Sequence, residues 1–371
     1  MDEACSSPER LMADAYHRPV DETTLTDDDV ATLRSWIRQQ EIGSEVTDVR
    51  PLAGGTQNIV VGMCVDGRPM VMRRPPAHPR PTSDKTMQRE IAALRTMAGS
   101  SVPHPEFICG CEDLDVLGVV FYLMAYVDGF NPGTEVTQAY VDKPEFRHDV
   151  GIDYAVSLAK LGQVPWEGSP LAALKRSGSF LARQVPQFRG FVEAYRQQDS
   201  YAHDSLPGVD RLADWLEENR PPDSAPGIMH GDAHLNNVLL SRDRPEVAAF
   251  VDWEMCTVGD PLVDLGWMLV CWPSGDDPLS SGQALAALGG LATRRELLDA
   301  YLSAGGRQTV HLSWYLTLAC FKLGTVIEGT WARYLAGKAT REAGEYLHAS
   351  AIRLIGLGAE IADGRDILDT D

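Results

Sequence analysis

Apolar positions recur at helical spacing near the start of the chain, then alternate with polar ones, and then return to helical spacing for most of the remaining length. Thr26-Asp27-Asp28-Asp29 opens a first helix with a capping-box-like pair, Val30, Leu33 and Ile37 fall on one face, and Gly43 follows as a stop. Val46 to Leu52, Asn58 to Val65 and Arg68 to Met72 predict three strands, with Asp66-Gly67 as a hairpin turn between the last two. A helix from Asp84 to Ala98 carries Met87, Ile91, Leu94 and Met97 on one face and stops at Gly99. Phe107 to Cys111 and Val119 to Val127 complete a five-stranded antiparallel sheet, and the turn-rich run from Asp128 to Gly133 marks a boundary.

Beyond residue 134 the pattern is mainly helical, with apolar faces at Tyr154, Leu158 and Leu161, from Leu206 to Asn219, and from Leu297 to Leu302. The long apolar stretch from His311 to Glu328 is interrupted by Lys322 and several Ser/Thr, so it reads as a buried helix and not a membrane span. One exception breaks the helical region: Val238-Leu239-Leu240 and Val247 to Val251 read as two strands of a hairpin. The class is α+β. The expected organisation is an acidic lead-in over 1–25, a sheet-containing N-terminal unit over 26–127, and a helical C-terminal unit over 128–371.

That hairpin is flanked by the chemistry. His230-Gly231-Asp232 precedes it, Asn237 stands at the entry to its first strand, and Asp252-Trp253-Glu254 follows its second. Transfer of a γ-phosphoryl group needs a carboxylate to hold the acceptor hydroxyl and oxygen ligands for Mg²⁺. Asp232 supplies the first. Asn237 and Asp252, brought side by side by the hairpin, supply the second. His230 reads as a loop-orienting buried histidine, and His234 either donates to the transferring phosphate or fixes the loop. Asp264, inside an apolar helical run, reads as a cap for N–H groups of the catalytic loop, and Asp260 before Pro261 as a helix cap. Upstream, Gly54, Gly55, Thr56 and Asn58 lie between the first two strands, where adjacent glycines let backbone N–H groups approach phosphates.

These blocks resemble the aminoglycoside phosphotransferase and choline kinase superfamily, in which His-Gly-Asp, four variable residues and Asn precede an Asp-aromatic-Glu or Asp-aromatic-Gly step. Gly259-Asp260-Pro261-Leu262-Val263-Asp264-Leu265-Gly266 matches the next block of that family. The resemblance implies a two-lobed protein-kinase-like fold. It further implies that Arg73, or its neighbour Arg74, serves the nucleotide phosphates in place of the usual Lys, and that Glu90 pairs with that cation. Adenine would lie on the backbone of Ala125, Tyr126 and Val127, and Glu254 would reach the metal through water. Arg73-Arg74-Pro75-Pro76 and the Asp252-Trp253-Glu254 step look most like the phosphotransferase domains linked to acyl-CoA dehydrogenases. The implied cofactors are ATP or GTP with Mg²⁺.

Only seven residues separate Asp252 from Asp260, too few for a peptide-holding activation segment, so the acceptor should be a small hydroxyl compound. An aminoglycoside-type antibiotic is one alternative and a nucleotide-binding pseudokinase another. The formal charge of −20 argues against nucleic-acid or anionic-membrane partners. Seven scattered cysteines and a start without a basic and apolar leader fit a cytoplasmic protein with reduced thiols. Trp314, Tyr315, Phe321, Trp331 and Tyr334 suggest an apolar, aromatic lining for the acceptor.

Overall fold

The structure is a computed structural model that describes residues 25–52, 58–76, 79, 81–273 and 281–368. Its first helix, α1 (Asp27–Gln39), starts at the Thr26/Asp29 capping box anticipated from sequence. Strands β1 (Val46–Pro51), β2 (Ile59–Val65) and β3 (Arg68–Arg74) follow, then helix α2 (Ser83–Met97), β4 (Phe107–Cys111), the short α3 (Leu114–Leu117) and β5 (Phe121–Ala125). The strands form one antiparallel sheet in the order β1-β2-β3-β5-β4.

Strand alternation sorts the two faces of this sheet. Val61, Met63, Val65, Met72, Phe121 and Leu123 pack with Leu33, Trp36 and Ile37 of α1, and the Trp36 and Phe121 rings meet edge to face at 4.8 Å. Arg73 and Tyr122, directly paired across β3 and β5, belong to the opposite face, with Glu90 of α2 hydrogen-bonded to Tyr122. Met87, Ile91, Leu94 and Met97 join that helix to the main core.

The remainder is α4 (Gln138–Asp142), α5 (Pro144–Leu161), α6 (Gln184–Arg196), α7 (Val209–Glu218), β6 (Gly227–Met229), β7 (Val238–Leu240), β8 (Val247–Phe250), β9 (Thr257–Gly259), α8 (Leu262–Cys271), α9 (Gln283–Ala286), α10 (Arg294–Ser303), α11 (Leu312–Leu335) and α12 (Arg341–Ala362). Two small antiparallel ribbons, β6-β9 and β7-β8, sit among the helices. Every residue of α8 is buried, so this helix is the axis on which the lower part is built. It crosses α11 at backbone contact: a Cβ on Gly266 would lie 2.6 Å from the Tyr315 carbonyl oxygen.

Of the α11 aromatics expected to line the acceptor, Trp314, Tyr315 and Phe321 belong to the core and that part of the expectation is corrected here, whereas Trp331 and Tyr334 are only partly buried. Every residue from Trp314 to Lys322 is buried. Trp314 donates from Nε1 to the Leu216 carbonyl, and the Tyr315 hydroxyl donates to Asp260. Trp331 stacks on His348 of α12 at 4.6 Å and neighbours Tyr334. Trp314, Tyr315 and Phe321 are core because α11 packs against α6, α7, α8 and α12. No helix among the described residues is long and apolar enough to cross a membrane. The six described cysteines, Cys109 and Cys111 included, are free thiols.

Gly266→Ala should destabilise the fold by about 1–3 kcal/mol, because the α8–α11 backbone contact has no room for a methyl group. Urea denaturation against wild type measures this, and an unchanged midpoint would show that the two helices are free to separate.

Candidate active site

The β6 strand delivers the chain to His230, which is fully buried and donates from Nε2 to the Val251 carbonyl at 2.9 Å. Burial holds its ring below the ordinary value. Its ring also packs 4.9 Å from that of Trp253. The backbone N–H groups of His230 and Gly231 both donate to Asp264 of α8, at 2.5 and 2.9 Å. Asp264 is therefore the loop cap its position suggested. Burial pushes its carboxyl up to about 6, against the pull of those two N–H groups and of Lys322. Gly231 takes φ +88°, and a Cβ there would meet the Met255 carbonyl oxygen at 2.5 Å, so only glycine closes this turn.

The next residue, Asp232, receives the Asn237 amide on Oδ2 at 2.8 Å and lies 3.3 Å from His234 Nε2. Burial by itself would raise this carboxyl, but the His234 and His230 imidazoles and the Asn237 amide hold it well below the usual carboxylate range. With its side chain one-third exposed, the loop's own donors outweigh desolvation. Burial works against a charge on His234, yet the Asp232 carboxylate raises its pKa. Asn237 commits its amide nitrogen to Asp232, by side chain and by backbone carbonyl. Its Oδ1 is thereby left as the acceptor end.

The β7-β8 ribbon sets Asn237 beside Asp252, since the Val251 N–H donates to the Asn237 carbonyl at 2.9 Å. Asp252 adopts φ +65° and ψ +61°, a left-handed conformation that a non-glycine residue holds only when its surroundings demand it. That twist ends the ribbon and turns the carboxylate to the sheet. Arg73 reaches it there, with its terminal amino group 2.6 Å from Asp252 Oδ1 and Nε 2.9 Å from Glu90 Oε2. Tyr122 donates its hydroxyl to the same Glu90 oxygen at 2.6 Å. Burial disfavours both members of the pair. Glu90 is raised by it, while the Glu90 and Asp252 carboxylates more than offset it for Arg73, which stays charged.

Arg73 is the residue of the arginine pair that faces this cluster. Arg74, on the other side of the strand, donates to the Pro75 carbonyl and is depressed by burial. Carboxylate oxygens of Glu90, Asp252 and Glu254 lie within 4.8 Å of one another, so the expected pair Asp252 and Glu254 is brought together, with Glu90 as a third member. Asp252, the Asn237 amide oxygen and Glu254 offer hard oxygen donors only, a set that fits Mg²⁺. Asn58, buried at the start of β2, has an amide nitrogen without a hydrogen-bond partner among the described residues, a donor suited to an anionic ligand. Gly54, Gly55 and Thr56 lie outside the described residues.

Of the residues expected against the adenine, Ala125 and Tyr126 donate their backbone N–H groups to the Glu106 and Pro69 carbonyls. Several supporting residues carry no signature in sequence: Tyr122, Arg89, which donates to the Glu254 carbonyl at 3.0 Å, and Ser281, which receives the Leu235 N–H. Tyr122 could have been flagged, because it pairs in register with Arg73 once the sheet order is known.

The profile of the Phosphotransferase enzyme family matches residues 48–299, more than half of the chain, and the chain belongs to that family. It resembles acyl-CoA dehydrogenase family member 11 of Gallus gallus, with 28% identity over 313 residues, which is 82% of this chain and 39% of that protein. The chain thus spans about two-fifths of that relative, and the likeness read from the Arg-Arg-Pro-Pro and Asp-Trp-Glu runs is borne out. A Ralstonia eutropha protein provisionally named an aminoglycoside phosphotransferase has the same fold, with a TM-score of 0.74, 24% identity, and coverage of 90% of this chain and 98% of that one. A thermostable variant of aminoglycoside phosphotransferase APH(4)-Ia, solved with ADP and hygromycin B, superposes with a TM-score of 0.59 at 16% identity, covering 88% and 99%. The two-lobed, protein-kinase-like architecture is that of these proteins.

Arg73→Met leaves Glu90 buried without its cation and should lower stability by about 3–5 kcal/mol. Arg73→Met combined with Glu90→Gln should recover much of that loss, since the neutral amide can still accept from Tyr122. Denaturation of the single and double variants decides it: equal stabilities would show that the pair does not act as a unit.

Proposed function

We propose that this phosphotransferase-family chain is a small-molecule kinase that moves the γ-phosphoryl group of ATP or GTP to a hydroxyl of a small acceptor. The observation that carries the reading is the convergence of Asp232, Asn237 and Asp252 at one ribbon, with Arg73 and Glu90 arriving from the sheet. Residues 26–127 would hold the nucleotide and residues 128–371 the acceptor. Mg²⁺ held by Asn237 and Asp252, with Glu254 close by, would neutralise the phosphate oxygens during transfer.

In this reading Asp232 aligns the acceptor hydroxyl through its free Oδ1 and takes its proton late. A carboxylate held well below its ordinary pKa is a weak base, which suits a loose transition state in which orientation matters more than early deprotonation. His234 keeps Asp232 ionised. Arg73 steadies Asp252 and supplies a forked cation for phosphate oxygens. Strand β9 returns at once to pair with β6, which leaves no segment to grip a peptide and supports a small acceptor. Hydroxyl compounds related to acyl-CoA chemistry lead the candidates, on the name of the chicken relative.

Asp232→Asn is expected to leave Mg-nucleotide affinity nearly intact while lowering transfer by about 10²–10⁴-fold, measured as acceptor-dependent ADP formation. Near-normal turnover would remove Asp232 from its assigned role. Asp252→Ala should abolish Mg²⁺-dependent nucleotide binding, and Asn237→Ala should weaken it, as read by calorimetry with and without Mg²⁺. Wild-type affinity that is equal in both buffers would contradict the metal assignment.

A further inference from the structure

A cleft of about 160 Å³ lies outside the cluster described above, between the segment that joins α5 to α6 and the strand β9. Lys175, Arg176 and Arg183 line it from the segment, and Val258, Gly259 and Asp260 from the strand and the residue after it. Phe180 seats the segment on the strand: a Cβ on Gly259 would lie 2.6 Å from its ring. None of the three cations forms an ion pair among the described residues. The two carboxylates of the lining are engaged by other groups, Asp260 by the Tyr315 hydroxyl and the Leu262 N–H, and Asp223 by the Ser179 hydroxyl.

Three unpaired cations in one cleft are unexpected for this chain, which has 53 acidic residues against 33 Lys and Arg. Elsewhere its arginines find carboxylates, as Arg196 does at Asp210 and Arg242 at Asp128 and Glu135. Here two of the cations meet rings instead: Lys175 Nζ lies 4.7 Å from the ring centre of Trp166, and the Arg183 guanidinium 5.9 Å from that of Phe180. Arg183 also donates through Nη1 to the Ser177 carbonyl at 2.9 Å. Such contacts order the two side chains before a ligand arrives, and they leave further N–H donors uncommitted.

The geometry points to a subsite for a phosphate-type oxyanion, held by Lys175, Arg176 and Arg183. A dianion with three terminal oxygens matches two guanidinium forks and an ammonium better than a carboxylate with two oxygens does. Val258 pairs with Ile228 across the β6-β9 ribbon, and four residues of chain lead from Ile228 to Asp232. At about 3.5 Å per residue and about 5 Å between paired strands, the Val258 side of the cleft lies within about 20 Å of Asp232. That span suits the remote phosphate of an extended hydroxyl acceptor, and a free phosphate ion would meet the same donors. The subsite itself stands apart from the kinase reading, and only its link to an acceptor rests on that reading.

Calorimetry on the full chain at low ionic strength tests this with inorganic phosphate, ethyl phosphate and acetate as probes. Both phosphates should saturate the protein below about 10 mM, and acetate should bind at least about 10-fold more weakly. Lys175→Met combined with Arg176→Met should weaken phosphate binding by about 10-fold or more, while Lys338→Met, at another exposed position, should leave it unchanged. Lys175 and Arg176 are exposed, so the double variant does not put folding at stake; Arg183→Met, at a half-buried position, should weaken binding to a similar extent. Ethyl phosphate bound at least as tightly as inorganic phosphate marks an organic phosphate ester as the ligand, and inorganic phosphate bound more tightly marks the free ion. No saturation by about 10 mM, a smaller loss in the double variant, or acetate bound within about 10-fold of phosphate overturns the subsite. Failure of Mg-ATP to bind would overturn the kinase reading and leave these titrations untouched.

Discussion

The Asp264 carboxylate is the interaction on which the active-site geometry depends. It lies in the fully buried helix α8 and accepts the N–H groups of His230 and Gly231, so the loop that carries Asp232 is fastened to an element buried at every residue. Hydrogen bonds to a charged acceptor are worth about 1.5–3 kcal/mol each, enough to hold a loop against the entropy of a few residues. Once His230 and Gly231 are fixed, the turn at Gly231 determines where Asp232 emerges. Asn237 and the β7-β8 ribbon then follow within hydrogen-bond distance.

A second constraint joins the two lobes. Arg73 belongs to the sheet and Asp252 to the ribbon, yet their side chains meet at 2.6 Å, with Glu90 of α2 on the other side of the guanidinium. Burying Arg73 and Glu90 is favourable only because their charges oppose one another, with Tyr122 donating to the Glu90 oxygen that faces the guanidinium. The left-handed backbone at Asp252 is the local strain that this meeting requires. Phosphates entering the cleft would compete with Asp252 for the same cation, so the arrangement couples nucleotide binding to the relation between the lobes.

Much of this was legible in the sequence, and the exceptions have physical causes. The capping box at Thr26, the Asp66-Gly67 turn and the apolar face of α2 depend on local rules, and each stands where sequence placed it. The spacing of Asp232, Asn237 and Asp252 around a hairpin was legible, and the structure brings these residues together at the β7-β8 ribbon. Trp314, Tyr315 and Phe321 of α11 misled because helical periodicity reveals which residues share a face but not whether a neighbour covers it. Trp314 and Phe321 are covered on every side. Tyr122 was invisible for a related reason: its partners Arg73 and Glu90 lie far away in the chain and are brought near by sheet order. The adenine contact expected at Ala125 to Val127 involves backbone groups alone, so no side chain there could mark it in the sequence.

The account's central claim is that a hydroxyl oxygen receives phosphate at the Asp232 loop. Phosphorus NMR of the wild-type chain with ATP, Mg²⁺ and a pool of small hydroxyl compounds tests this most directly. A new phosphomonoester resonance growing in step with ADP is the predicted result. Tightly bound but unchanged ATP, or release of inorganic phosphate alone with every acceptor, would contradict it.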